Sequence, residues 1–342
     1  MHPRILLLLL VAALALPAST AGAATITPLG GPTAVREYQG TLVFSQFVQA
    51  ENHWRLAIRR PGQAPELLPD VAPADRDFDA DIGTDSAWQP QLIYTRCDET
   101  CDLFVYSLTR PTGERAVRNA NDPEHHDTTP TLWRGRIAWA RIYGEQIDRK
   151  VVVYAKQLST PRSTPSTRLP GVPTRRCGDV SAGCGPTDGR TVFALELYGR
   201  HLAQTVSYGC KGCSGTSQSE LRLVDVDERT ARQVMFQVVG LSGQSLVGPS
   251  FHGGTLGWYR ACLGDPAACQ GGKATPYRYS LSSGRGSRGP GGTVRVDGYA
   301  DTGSALLQVA GCNFETSGDF NKDCRLEEAA APAFAPVSLP RR

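Results

Sequence analysis

The sequence predicts an all-β protein, a six-bladed β-propeller of four-stranded antiparallel blades. Three observations carry that prediction. An apolar run recurs six times, with starts 45 to 64 residues apart. Each copy is followed by a second strand-like run and usually by a third, shorter one. No stretch keeps a helical period. Four short strands in a unit of roughly 40–50 residues is the arithmetic of a propeller. One such sheet cannot bury both of its faces, whereas six packed around an axis can. A pair of β-sandwiches would not need a repeat of this period.

Residues 1–23 read as a secretory signal. His2 and Arg4 give a positive start, Ile5 to Leu16 is continuously apolar, and Pro17 breaks the run. Ala21-Gly22-Ala23 then offers an A-x-A cleavage site before Ala24. The run is shorter than the ~20 residues a membrane span needs. No cysteine follows the cleavage point to carry a lipid, and no later segment is apolar enough to cross a bilayer. The expectation is a secreted, extracytoplasmic protein with no stable membrane insertion. Residues 24–342 then form a single propeller domain.

Within that domain the first runs are Thr41–Phe47, Gln91–Cys97, Arg136–Ile142, Thr191–Leu197, Thr255–Ala261 and Ala305–Gly311. The second runs are Trp54–Arg60, Asp102–Leu108, Lys150–Gln157, Glu220–Asp227, Pro276–Ser282 and Arg325–Ala330. Third runs occur at Glu66–Leu68, Arg115–Val117, Arg232–Phe236 and Thr293–Val296. Hairpin residues such as Arg110-Pro-Thr-Gly113 and Asp227-Glu-Arg-Thr230 separate second from third runs. A polar segment rich in Asp, Gly and Pro opens each unit, as in Asp127–Pro130 and Val247–Ser250. The tail Ala329–Arg342 is expected to supply one outer strand. Ile26–Val35 is expected to supply another, closing the ring between first and last blades.

The unit pattern, Asp-x-x-Pro, a turn with Gly, an apolar run, Asp102-Leu-Phe-Val-Tyr-Ser-Leu108 and Thr112-Gly-Glu-Arg-Ala-Val117, resembles the TolB-type, WD40-like (PD40) β-propeller repeat. Residues 85–117 and 127–158 carry the likeness best, and it spans most of residues 34–336. The Gly-His and Trp-Asp signatures of true WD40 repeats are absent. Trp133-Arg-Gly135 and Thr187-Asp-Gly189 stand where the TolB repeat has its Ser-Pro-Asp-Gly turn. The resemblance implies six blades and binding to other proteins. It implies no single activity, since propellers host many.

Ten cysteines suit an oxidising compartment, where disulfides persist. Locality pairs Cys97 with Cys101, Cys262 with Cys269 and Cys312 with Cys324. With strands named A to D from the axis outward, all three pairs fall in B–C loops. They therefore decorate one face of the disc. In the fourth blade Cys177 and Cys184 lie in the D–A connection, Cys210 and Cys213 in the B–C loop. Local pairs 177–184 and 210–213, crossed pairs, and a four-thiolate zinc site all remain open, the zinc site having one C-x-x-C knuckle and lacking the second.

The formal charge of +3, from 36 basic and 33 acidic side chains, excludes the basic stripe of a nucleic-acid binder. An alternating acidic run, Asp75-Arg-Asp77-Phe-Asp79-Ala-Asp81, puts Asp77, Asp79 and Asp81 on one side of an extended strand. On an inner strand they would line the axial mouth, where oxygen ligands suit calcium. A solvated loop is the plainer reading. His125, His126 and Asp127 open the next blade beside that run; a solvent-facing polar loop again competes with a binding role. His252 is expected in an A–B turn on the opposite face. Asp319-Phe-Asn-Lys-Asp323 echoes the start of a calcium loop but has Cys324 where the glycine belongs. Trp133, Trp139 and Trp258 are expected in blade cores.

No G-x-S-x-G, H-E-x-x-H or phosphate loop is present, Gly248-Pro-Ser-Phe-His252 failing the second glycine. The expected function is non-enzymatic: recognition of a protein or cell-surface glycan through the disulfide-shaped loop face, by a monomer without a cofactor. The alternative is a secreted hydrolase or lyase using axial Asp and His side chains.

Overall fold

A computed structural model describes residues 23–110, 113–144, 150–170, 191–208, 218–238, 244–262, 274–292, 296, 298–312 and 324–339. The signal segment, the Asp319–Asp323 loop and Cys177, Cys184, Cys210, Cys213 and Cys269 lie outside the described residues. The described chain is all-β, in six antiparallel sheets that form a six-bladed propeller.

Strand β1 (Ala24–Pro28) comes first in the chain but belongs to the last blade. Blade one is β2 (Val35–Tyr38), β3 (Thr41–Val48), β4 (His53–Arg59) and β5 (Glu66–Leu67). Blade two is β6 (Ala80–Thr84), β7 (Pro90–Cys97), β8 (Cys101–Ser107) and β9 (Arg115–Ala116). Blade three is β10 (His126–Trp133), β11 (Arg136–Tyr143), β12 (Lys150–Gln157) and β13 (Thr167–Arg168). Blade four is β14 (Thr191–Tyr198), β15 (His201–Tyr208), β16 (Gln218–Asp225) and β17 (Thr230–Val238). Blade five is β18 (Gln244–His252), β19 (Thr255–Cys262), β20 (Thr275–Ser280) and β21 (Gly286–Arg288). Blade six is β22 (Gly298–Asp301), β23 (Ala305–Ala310) and β24 (Arg325–Ala330), completed by β1; β25 (Ala335–Val337) adds a fifth strand to blade five.

Ring closure follows the expectation with shifted bounds. β1, and not the whole of Ile26–Val35, pairs with β24, while Val35 already begins the inner strand of blade one. The following backbone ties the two blades. Leu29 N–H donates to Cys324 O, and Phe47 N–H donates to Leu29 O, both at 2.8 Å. Two strands differ from the sequence reading. The sequence reading groups Thr191–Leu197 with first runs that elsewhere form the second strand of a blade (β3, β7, β11, β19 and β23), but β14 is the inner strand of its blade, and β15 (His201–Tyr208) is the second. The cause is composition: β15 reads His-Leu-Ala-Gln-Thr-Val-Ser-Tyr, too polar to stand out as an apolar run. The fourth strand of blade five is Gly286–Arg288, whereas all of the expected run Thr293–Val296 except Val296 lies outside the described residues.

The alternation of side chains builds the ring. In β7, Leu92 and Tyr94 pack toward blade one while Ile93 packs toward blade three. In β11, Ile137 and Trp139 face blade two while Ala138 and Ala140 face blade four. Six apolar clusters result among the described residues, one per interface between neighbouring blades. Each fully buried leucine in them contributes about 2 kcal/mol. Trp139 and Trp258 are fully buried there, as expected. Trp133 is only half-buried and sits at the axis instead.

Short polar side chains staple blade to blade at the inner strands. Ser45 Oγ accepts Phe78 N–H at 2.8 Å, Asp81 Oδ2 accepts Leu132 N–H at 2.8 Å and Thr131 Oγ1 accepts Leu197 N–H at 2.9 Å. Thr205 Oγ1 donates to Gly248 O at 2.6 Å, and Ser250 Oγ accepts Asp301 N–H at 3.0 Å. Three inner strands, β10, β14 and β18, carry register shifts against their neighbours. Such bulges raise the local twist and re-aim side chains.

Candidate binding site at the propeller axis

The inner strands start on one face of the disc, the face that also carries the B–C loops. Around the axis there lies an open cavity of about 440 Å³. Every blade contributes to its wall: Ala34 and Arg36, Asp77 and Asp79, Thr128, Phe193 and Ala194, Leu246 and Val247, Gly298 and Tyr299. Cys97 and Cys101, joined as a disulfide, line it too. The second described disulfide, Cys312–Cys324, bridges the B–C loop of blade six. Phe193 is 50% exposed, one of the two large apolar side chains so exposed among the described residues.

Phe78, Ala80 and Ile82 enter the apolar cluster between blades one and two. Asp77, Asp79 and Asp81 therefore turn the other way. Asp77 and Asp79 stand in the cavity wall, and Asp81 is buried below them. Asp81 Oδ1 accepts its neighbour Ile82's N–H at 2.8 Å, so both of its oxygens hold backbone.

Two residues that the sequence reading did not single out complete the floor. Arg36 Nε lies 3.2 Å from Glu196 Oε2, with both side chains more than nine-tenths buried. Neither atom makes a hydrogen bond, so the pair is electrostatic only. Each sits between core residues, Arg36 beside Val35 and Glu196 between Leu195 and Leu197. A charged residue interrupting an apolar strand was the available signal. Burial, and after it the Asp81 charge, pushes the Glu196 carboxyl well above its usual range. Burial likewise raises Asp81 and Glu37. Asp79 is pushed up to about 6 by burial, against the pull of Arg36. The axis thus holds several carboxyls around one guanidinium.

The opposite end of the axis is filled. Tyr38 and Trp133 meet edge to face at 5.8 Å, Trp133 and Tyr198 lie 4.5 Å apart, and Tyr198 and Phe251 5.6 Å apart. These aromatics come from the far ends of four inner strands. His252, at the end of β18, lies on this side with its Nδ1 4.0 Å from Glu37 Oε2.

The other candidates are not gathered into the cavity. Asp127 is fully buried within blade three, accepting from Trp139 Nε1 at 2.9 Å and from Arg141 Nε at 2.8 Å. His125 packs on Tyr143, ring centroids 4.3 Å apart, with its Nδ1 3.1 Å from Asp122 Oδ1. His126 is exposed, and its Nδ1 accepts the N–H of Cys101 at 3.1 Å. No group of three or more His, Cys, Asp and Glu in a metal-holding arrangement occurs among the described residues.

No family model matches the chain, and no curated protein matches it. Solved structures do. TolB from Acinetobacter baumannii is similar at 11% identity and a TM-score of 0.46, over 86% of this chain; the chain spans 65% of that TolB's length. The β-propeller domain of the Trilobed protease from Pyrococcus furiosus aligns at 8% identity and a TM-score of 0.46, covering 90% of this chain and 83% of that one. Aleuria aurantia lectin aligns at 10% identity and a TM-score of 0.49, covering 90% and 98%. At such identities the likeness concerns the fold alone. By its own sheet order the chain is a six-bladed β-propeller, the architecture that the resemblance of its sequence to the TolB-type repeat implies.

Proposed function

We propose that this protein is an exported binding module that captures a partner protein at the axial cavity of its disulfide-bearing face. One observation carries the reading: the two ends of the same axis are built oppositely. One is sealed by packed aromatics, while the other is an open cavity with a half-exposed Phe193 and a disulfide-tied loop in its wall. An exposed aromatic over a concave site is the kind of anchor that partner residues use. The ten cysteines and the amino-terminal apolar run support export.

A photo-crosslinking side chain at position 193 tests this in the extracellular fraction, with position 88 on the opposite face as control. Adducts formed at 193 and not at 88 support the reading; adducts at 88 alone, or at neither, sink it. Glycan capture would appear as binding to immobilised polysaccharide without a protein adduct, and would likewise replace the protein partner. The second reading, a hydrolase or lyase, draws on Asp79, whose carboxyl near 6 in an open cavity is poised for proton transfer. It requires turnover on a substrate panel that Asp79→Asn abolishes.

A further inference from the structure

We infer that the axial cavity receives a basic side chain, an arginine or lysine presented by the partner protein. The inference rests on the binding reading above and names the chemistry of what enters. Three observations carry it, and they are independent of one another.

The first is charge. Asp77 and Asp79 stand in the wall, with Asp81 and Glu196 beneath them. Arg36 is the cation of the floor, and Arg76 reaches the rim. Arg36 is already opposed by Glu196 at 3.2 Å. Arg36 also pulls on Asp79 and Asp81, and Arg76 on Asp77, yet four carboxyls stand against two guanidiniums, and that excess of like charge favours an incoming positive group.

The second is unspent bonding capacity. Arg36 Nε and Glu196 Oε2 are buried without a hydrogen bond, and so is the hydroxyl of Thr129, which adjoins the wall residue Thr128. Buried polar atoms left unpaired cost free energy and are uncommon. Of these atoms, Glu196 Oε2 and the Thr129 hydroxyl can accept an N–H, and each adjoins a lining residue, Arg36 and Thr128 respectively.

The third is shape. Phe193, Leu246, Val247 and Tyr299 give the cavity apolar walls around its acidic side. A bare metal ion would have no use for them, and the described residues hold no metal-type cluster. An organic cation on an aliphatic stem uses both: the stem lies along the apolar wall and the head reaches the carboxylates. The exposed ring of Phe193 adds a cation–π surface at the mouth.

The test uses the mature protein and three fluorescein-labelled peptides, Gly-Ala-X-Ala-Gly with X as Arg, Lys or Gln, followed by anisotropy at low salt. The Arg and Lys peptides are expected to bind at least about tenfold more tightly than the Gln peptide, the scale of one charge-assisted contact. Asp79→Asn should weaken the basic peptides by about that factor while leaving the Gln peptide unchanged. Asp75→Asn, whose side chain is almost wholly exposed outside the cavity, should change nothing. Thermal unfolding of Asp79→Asn confirms that the variant is folded, and Phe193→Ala gives an independent second variant, expected to weaken basic peptides several-fold. Equal affinity for Arg and Gln peptides, or indifference of the Arg peptide to both variants, overturns the inference. Spermidine competing as tightly as the Arg peptide binds would replace the polypeptide with a small free polyamine and also overturn it. Adducts at position 193 combined with charge-blind peptides would leave the binding reading standing and remove only this one.

Discussion

Replacing Asp127 by alanine should cost the fold about 3 kcal/mol, the low end of what removing one partner of a buried ion pair costs. The magnitude follows from the contacts. The Asp127 carboxylate is fully buried and accepts from Trp139 Nε1, Arg141 Nε, Arg141 Nη2 at 2.9 Å and Asp122 N–H at 3.2 Å. Alanine leaves the indole N–H of a fully buried tryptophan unpaired, which alone costs about 1–3 kcal/mol. Arg141 loses its bidentate partner but keeps Asp122 Oδ2 at 3.0 Å and the carbonyl of Ala120, which limits the damage. A chain of this length unfolds with an entropy near 0.7 kcal/mol/K, so the loss lowers Tm by about 4 °C. Circular dichroism melts of Asp127→Ala, Asp127→Asn and the exposed control Glu124→Ala measure it. Asparagine keeps an acceptor for Trp139 without the charge and should fall between the other two. An alanine variant melting within about 1 °C of the parent would refute the reasoning, because the carboxylate would then hold nothing together.

Stability should fall as pH rises between about 4 and 6. Asp79 has a folded value of about 6 against an ordinary 3.8, so the folded chain holds its proton through that window and the unfolded chain does not. Glu37, Asp81 and Glu196 are raised in the same direction. Urea midpoints at the two ends of the window should therefore favour the acidic one, and Asp79→Asn should flatten the difference; an unchanged or steeper slope would contradict the assignment. Replacing Cys312 and Cys324 together by serine should cost about 3 kcal/mol, from a crosslink spanning 12 residues. Because Leu29 N–H bonds to Cys324 O, the loss should show first as proteolysis at the β1 end, and cleavage elsewhere at the same rate would argue against that link.

Most of the ring was legible because each blade must hide two faces, and that demand writes itself into alternation. Leu92-Ile93-Tyr94 and Ile137-Ala138-Trp139 show it directly: successive side chains supply different interfaces. The reading failed where alternation is masked. Gln204 and Thr205 are fully buried in β15, so that strand carries too few apolar residues to be seen. The site was half legible. Asp77, Asp79 and Asp81 follow period two along a single strand, which sequence displays. Arg36, Phe193 and Glu196 meet them only because three inner strands converge on the axis, and the bulges in β10 and β14 displace the side chains from simple alternation. Convergence of that kind leaves no mark in local sequence. Asp127 looked like its acidic neighbours, yet Trp139 and Arg141 draw it into the blade.

The contrast between the ends of the axis bears on why the charges are there at all. A buried Arg–Glu pair adds little net stability, because desolvating two ions offsets their attraction. Packing aromatics into the same space would stabilise more, and the chain does so a few residues further along the same strands: Arg36 precedes Tyr38, Thr131 precedes Trp133, and Glu196 precedes Tyr198. The strands can therefore close the axis with rings, and at one end they do not. Keeping the raised carboxyls of Asp77, Asp79, Asp81 and Glu196 toward the open end costs stability that the sealed end shows to be avoidable. Local rules are broken in this way where a surface is kept for use, so the unsealed end of the axis is where a partner's contribution belongs.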